Sequence, residues 1–334
     1  MLLLLTRSLD PTADMVIREL GTTGTPVVRM DPGDLPNAME MNARFEQGQW
    51  RGTLTTAHRT VDLAEVSAVY NRRPNPPQAG APGMRPEDAE WASNECYEGF
   101  YGVLYSLPVL WLNRPDRNRT ASLKPLQLST AHACGLLVPE TLVTNSPSDA
   151  KEFTAEAPSV IKTLRGVPQR DADGAPGQPL IVYTWEVPPH EVDGTVAQGL
   201  CQFQRRVDPL YEVRLIAVGT QLFAARIDSP SGRPDETTDW RAYQDTDRIS
   251  YTPIGIPDVI RHGVLDYLAA FQLLYGAFDF MVDADRRWNF LECNPNGQFA
   301  FVEYGTGQPI ARAVADLLTR ADAEHATSTA RMGG

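Results

Sequence analysis

The chain has 334 residues, 42% of them hydrophobic and 22% charged, and 42 acids against 30 bases give a formal charge of −12. That length allows two or three domains with a substantial core, while the acidic balance opposes broad adsorption to nucleic acid or anionic lipid and leaves room for a local basic phosphate site. No run approaches the ~20 apolar residues of a membrane span, and Cys96, Cys134, Cys201 and Cys293 show neither CxxC nor zinc spacing. The opening LLLL lacks the basic region and cleavage pattern of a signal peptide, so a cytoplasmic chain with reduced thiols is expected, with neither nucleic acid nor membrane as a partner. The five histidines, His58, His132, His190, His262 and His325, have no metal-binding spacing.

Met1 to Thr6 reads as a buried strand, Asp10-Pro11 starts a helix that runs to Gly21, and Pro26 to Met30 reads as a second strand. This β-α-β opening predicts a parallel sheet, but no GxGxxG follows the first strand, so the dinucleotide fingerprint is absent. A hairpin-like region surrounds Gln49 to Thr56. Val66 to Tyr70 is a strand that runs into Asn71-Arg72-Arg73-Pro74, where paired arginines form either a solvated edge or a contact for an anion or partner. A helix over Pro86 to Leu107, with acids in its first turn, and a strand at Val109 to Leu112 complete this unit, which is expected to end near residue 118.

Arg119 to Gly135 is predicted as one helix carrying Lys124. Strands at Pro139 to Thr144 and Ser159 to Leu164 flank a short helix that starts at Ser146-Pro147 and runs through Glu156. Gly166 to Pro179 reads as a mobile loop by composition, and Leu180 to Trp185 resumes the sheet. This gives a small α+β unit over 119–198. From 199 to the end the pattern is antiparallel: Cys201 to Val207, Glu212 to Val218 and Gln221 to Ile227, a polar loop from Ser229 to Asp247, a helix over Pro257 to Tyr275, and a last helix over Pro309 to Arg320 before a fraying tail.

The stretch with the most chemistry is Tyr275 to Gln298. Two apolar runs, Ala277 to Val282 and Trp288 to Cys293, flank Asp283-Ala284-Asp285 and predict a hairpin. Folding it about residue 285 sets Asp279 opposite Leu291 or Glu292, and strand alternation puts Glu292 and Asn294 on one face. Two carboxylates and an amide oxygen there suit Mg²⁺, against the alternative of a polar solvent face. Upstream, Lys124 and Lys162 are candidates for phosphate contact from separate elements, although a lysine in the apolar run of Lys162 can also snorkel to solvent. Glu212 and Arg214 share a strand face, where a cross-strand ion pair is the structural alternative, and Arg226 and Arg241 lie downstream as further candidates for anionic oxygens.

In this order, two lysines, a glycine-containing loop, a hinge strand, an E-x-R strand and then D and E-x-N on a hairpin resemble the ATP-grasp superfamily. Within it the chain resembles the maturases of graspetides, the microviridin-type ribosomal peptides. The phrases Val69-Tyr70-Asn71-Arg72-Arg73-Pro74, Asn113-Arg114-Pro115, Lys124-Pro125-Leu126-Gln127-Leu128, Val138-Pro139-Glu140-Thr141-Leu142 and Leu291-Glu292-Cys293-Asn294-Pro295-Asn296-Gly297-Gln298 carry that resemblance over nearly the whole length.

The resemblance implies an α/β (α+β) ATP-grasp fold: an N-terminal pre-ATP-grasp domain (1–118), a central subdomain (119–198) and a C-terminal antiparallel-sheet subdomain (199–334). It implies an ATP- and Mg²⁺-dependent ligase that phosphorylates Asp or Glu side chains of a precursor peptide, leader plus core, and closes esters or amides onto Ser, Thr or Lys. Lys124 and Lys162 would hold phosphates, and adenine would sit at the Gln204-Arg205-Arg206-Val207 hinge. Glu212 would meet ribose or the metal shell, and Asp279, Glu292 and Asn294 would bind the metal. Arg214, with Arg226 or Arg241, would stabilise the transferring group. Leader docking on the middle unit, near Ser146 to Glu156 or after Lys162, and homodimerisation are further implications. Family hinges often carry an acid after the glutamine, where this chain has Arg205, which puts a side-chain role there in doubt. Two readings compete: a glutathione-synthetase-like ligase of free amine and carboxylate, and a catalytically silent binding protein.

Overall fold

Leu2–Thr6 (β1) is buried along its whole length and organises a first, parallel sheet. The computed structural model describes residues 1–165, 184–228 and 249–332. After β1, Asp10 caps α1 (Pro11–Thr23) by accepting from the amides of Thr12 and Ala13, and Gly24, at φ 70°, ends it three residues beyond the expected Gly21. β2 (Val27–Met30) and then β6 (Ala68–Arg73) flank β1 on opposite sides. Between them, β3 (Met39–Glu46), β4 (Gln49–Thr56) and β5 (Thr60–Asp62) make a separate antiparallel sheet where a single hairpin-like region is predicted. α2 (Pro86–Tyr105) and β7 (Leu110–Leu112) complete the strand order β2-β1-β6-β7.

Residues 119–135 do not form one helix. α3 (Pro115–Ala121) stops, and α4 (Lys124–Ala133) starts afresh. Pro125 explains the break, because its ring inside a continuous helix would clash with the carbonyl four residues back, whereas it is tolerated in a first turn. β8 (Thr141–Thr144), α5 (Pro147–Glu156), β9 (Ser159–Lys162), β10 (Trp185–Glu186) and β11 (Cys201–Arg205) follow, with the sheet order β10-β9-β11-β8. The strand at Cys201, expected to open the long antiparallel run, thus joins the small middle sheet between β9 and β8. The predicted loop from Gly166 to Pro179 and the one from Ser229 to Asp247 lie outside the described residues.

The largest sheet has the order β14-β13-β12-β15-β16, formed by β12 (Tyr211–Val218), β13 (Gln221–Asp228), β14 (Ser250–Pro253), β15 (Tyr275–Val282) and β16 (Trp288–Asn294). The short polar β14 is not evident in sequence. α6 (Asp258–Phe271) ends earlier than expected, with Gln272 in the left-handed region, and Tyr275 already belongs to β15. α7 (Ala300–Thr306) is an addition, and α8 (Ile310–Met332) continues through the segment predicted to fray. Among the described residues no helix is long and apolar enough to cross a membrane.

Alternation along β12 divides two cores. Val213, Leu215 and Ala217 pack with α6 and an aromatic group, Tyr267, Phe278, Phe280 and Phe290, whereas Ile216 and Val218 pack with β1, α1 and α8. Phe290 is fully buried, 5.7 Å from the Tyr267 ring centre and 5.9 Å from that of Phe280. Phe290→Ala is expected to cost about 3–5 kcal/mol, read as a lower urea midpoint at unchanged slope.

Candidate active site

The hairpin of β15 and β16 forms with Asp279 directly opposite Glu292, and a register shift follows between Asp279 and Phe280. Asp279 also faces Arg214 across the β12–β15 pair. One face of the sheet therefore carries Arg214, Asp279, Glu292 and, two residues on, Asn294. Each carboxylate comes with a cation. Arg214 Nη1 donates to both Asp279 oxygens, at 2.7 and 2.8 Å, and Lys124 Nζ lies 3.2 Å from Glu292 Oε2. Burial opposes the Arg214 charge, but Asp279 more than offsets it and holds the guanidinium above its usual range. Asn294 Oδ1 accepts from the Asn296 amide at 3.1 Å. Among the described residues no group of three His, Cys, Asp or Glu side chains gathers at a metal-binding distance. The candidate set here is two carboxylates and an amide, all oxygen donors of the kind a hard divalent cation takes.

Several residues whose roles are not evident in sequence hold this end of the sheet. The buried Gln127 side chain donates to the Ala121 and Cys293 carbonyls and accepts from the Cys293 amide, so it completes the free edge of β16 and fixes the head of α4, where Lys124 sits. Asn113, just after β7, donates to the carbonyls of Tyr275 and Pro295 and accepts from the amides of Leu274 and Tyr275. Arg72, 1% exposed, donates to the Asn296 carbonyl and side chain at 2.7 and 3.1 Å. Tyr275 Oη donates to the Gly297 carbonyl at 2.8 Å. The only sequence signal for these contacts is that polar residues stand at the ends of apolar runs.

Gly297 is glycine for a spatial reason: a Cβ there would lie 2.5 Å from that of Ala277 and 2.9 Å from Arg214 Nη2. Gly297→Ala is expected to cost about 1–3 kcal/mol by overpacking and to displace Arg214. A lower melting temperature with reduced ATP-dependent product formation would show it.

The middle sheet presents a second polar group. Lys162 Nζ donates to Gln204 Oε1 at 2.7 Å, and Gln204 Nε2 donates to Thr141 Oγ1 at 2.9 Å. Phe203 and Ile161, on the opposite face, pack with α5. Arg205 turns toward that helix, where it pairs with Glu140 and Glu156 and lies 3.7 Å from the Phe153 ring centre. Its side chain is thus committed to structure, and any adenine contact at this position falls to backbone. The Arg205 and Arg206 amides bond to Glu140 and Pro158, and no hydrogen bond of the described residues uses the Val207 amide. Glu212 shares the Arg214 face two residues away. Arg226 does not join the cluster: it pairs in register with Val213, on the opposite face, forms an ion pair with Asp228 and lies over the Tyr211 ring. Arg241 lies outside the described residues.

Residues 1–119 match the family model described as the MvdD pre-ATP grasp domain. A Chryseobacterium gregarium RiPP-associated ATP-grasp ligase, solved with ADP and a leader and core peptide, is 27% identical over 96% of each chain, with a TM-score of 0.85. The macrocyclase MdnC of Microcystis aeruginosa MRC, solved with its precursor peptide MdnA, is 28% identical, with a TM-score of 0.82 over 96% of this chain and 100% of that one. By fold and sequence likeness the chain is an ATP-grasp ligase. Macrocyclase MdnB of the same organism is 26% identical to the ligase, with a TM-score of 0.75 over 95% and 98% of the two chains. No curated protein matches the ligase.

Proposed function

We propose that the ligase closes macrocycles in a ribosomally made precursor peptide, as a graspetide maturase. The observation that carries this is the face of the large sheet on which Asp279 and Glu292 stand opposite each other beside Asn294, each carboxylate held by a cation from another element. Likeness to peptide-bound ligases over nearly the whole chain favours crosslinking within one peptide over joining a free amine to a free carboxylate.

In this reading a side-chain carboxylate oxygen of the peptide bonds to the γ-phosphorus of ATP. The β–γ bridging bond breaks, and ADP departs with the electron pair. The resulting acyl phosphate is attacked at carbon by a Ser or Thr hydroxyl or a Lys amine of the same peptide. Inorganic phosphate leaves, the nucleophile loses its proton, and one water is lost per ester or amide. Lys124 and Lys162 bind phosphates, the Val207 backbone meets adenine, and Gln204 holds Lys162 in place. Arg214 faces the charge that gathers on the transferring group. The oxygen set of Asp279, Glu292 and Asn294 would hold Mg²⁺, which when bound neutralises phosphate charge. Glu212 is assigned to ribose or the metal shell. With Arg226 on the other face, the transferring group falls to Arg214, and Arg241 keeps a proposed part from sequence alone.

The division of labour follows: a pre-ATP-grasp unit to residue 118, a central unit that receives the leader, and a final unit around the hairpin. Homodimerisation and a cytoplasmic location complete the proposal. Incubation with Mg-ATP and a precursor peptide tests it by mass. Loss of one water per bond, with ADP release that depends on peptide, is expected; addition of an amino-acid residue instead would favour the free-amine ligase.

A further inference from the structure

The first sheet has one place where its connections part in opposite directions: β1 leads to β2 on one side, and the chain then crosses to β6 on the other. In open parallel sheets, ligands bind outside the carboxyl ends of the strands at such a switch point. Here those ends carry Arg7 after β1 and Arg72-Arg73 at the end of β6, with Thr6 and Arg73 in register. Three guanidinium groups at one strand end are unexpected on a chain of charge −12.

Their neighbours account for only one of them. Arg72 spends Nη1 on Asn296, and its Nε lies 3.7 Å from Asp10, while its buried Nη2 has no partner. Asp10 is itself committed, to the α1 amides and the Thr6 hydroxyl. The half-buried Arg73 guanidinium has no hydrogen bond or ion pair among the described residues, and burial together with Arg72 pulls its pKa down to about 10. Its backbone sits at φ 132°, a conformation that costs a non-glycine residue energy and is retained mainly where the surroundings enforce it. Arg72 reaches from this strand end to Asn296, Tyr275 at the start of β15 donates to the neighbouring Gly297, and Gly297 abuts Arg214.

We propose that Arg73, with Arg72 behind it and Arg7 across the strand end, binds a side-chain carboxylate of the substrate peptide beside the Asn294–Gln298 loop. The proposal rests on the peptide-ligase reading and adds to it a peptide-anchoring site in the N-terminal unit. A planar guanidinium takes a carboxylate through paired hydrogen bonds, and a local cation is what draws an acidic peptide to an acidic protein.

The test uses fluorescein-labelled octapeptides with amidated C-termini, one alternating Thr and Glu and the other Thr and Gln, titrated with the full chain in Mg-ADP. The amide removes the terminal carboxylate as a source of binding. Wild type should bind the Glu peptide more tightly, and Arg73→Gln should reduce that preference about tenfold, the loss of one charge-assisted contact. Arg73→Lys should keep most of it and guards against a folding defect in Arg73→Gln. Arg44→Gln, which removes a charge from an exposed side chain elsewhere, should leave it intact. ADP affinity should be the same in all four proteins. No Glu preference in wild type, or the same preference in Arg73→Gln, would overturn the proposal. Failure of the ligase reading would appear separately, as unchanged peptide mass in Mg-ATP with the Glu preference retained.

Discussion

Glu292→Gln is expected to reduce peptide-dependent ADP release by about 10²–10³, the scale on which a catalytic site loses rate when one preorganised electrostatic contact is removed. The substitution keeps the shape, exchanges one acceptor oxygen for an amide donor, and removes the charge that faces Asp279 across the hairpin. Its cost to folding should be about 1 kcal/mol, because the amide oxygen can still accept from Lys124 and keeps that partner from being stranded. With Glu292 in the proposed metal site, the loss is one of metal affinity, and raising the Mg²⁺ concentration should recover part of the rate. Asn294→Ala removes a neutral donor and should cost less, about 10–100-fold. A magnesium titration of ADP release measures all of this. Wild-type rates in both variants would remove these residues from the metal site.

Glu292 is legible in part: the turn near residue 285 narrows the partner of Asp279 to Leu291 or Glu292, and alternation puts Glu292 on the face of Asn294. The register shift after Asp279, which no local rule supplies, selects Glu292. The same rules succeeded for the β1-α1-β2 opening, where Asp10 and Pro11 mark the helix start. They failed where long-range partners decide. Cys201 to Arg205 is a short alternating strand that could pair on either side of the chain, and only the β8 and β9 edges select the middle sheet. Arg226 and Arg214 look alike in sequence, yet the register of β12 against β13 sends them to opposite faces. Gln127, Asn113 and Arg72 are separated from their partners by 166, about 160 and 224 positions. No local spacing could have assigned their roles. Arg205 shows a subtler gap: the departure from the family pattern was visible, and its meaning, an anchor onto α5, required the positions of Glu140, Glu156 and Phe153.

Arg214 poses the question that the sequence left open, whether the E-x-R strand carries a structural ion pair or a catalytic arginine. The geometry allows both. The guanidinium is buried, it holds both oxygens of Asp279, and Nη2 donates to the Gln298 carbonyl at 3.3 Å. Arg214→Met should therefore destabilise the ligase by about 3 kcal/mol, at the low end for a buried pair stripped of one partner because Asp279 keeps some exposure. For a chain of this size that is a fall of roughly 4–5 °C in melting temperature. Ligation should fall by about 10²–10³ as well, but lost stability alone could lower measured activity. The double variant Arg214→Met/Asp279→Leu separates the two effects, because replacing both partners with apolar groups removes the buried charge that makes the single variant costly. It should recover most of the melting temperature and still form no crosslinked peptide. Asp279→Leu alone should also be inactive if Asp279 holds the metal as proposed, so the decisive protein for the arginine is Arg214→Lys. It keeps a cation near Asp279 but loses the forked geometry. Near-normal stability with ligation reduced at least about tenfold would assign Arg214 to the transferring phosphoryl group, whereas full activity in Arg214→Lys would leave it the role of an ion-pair partner alone.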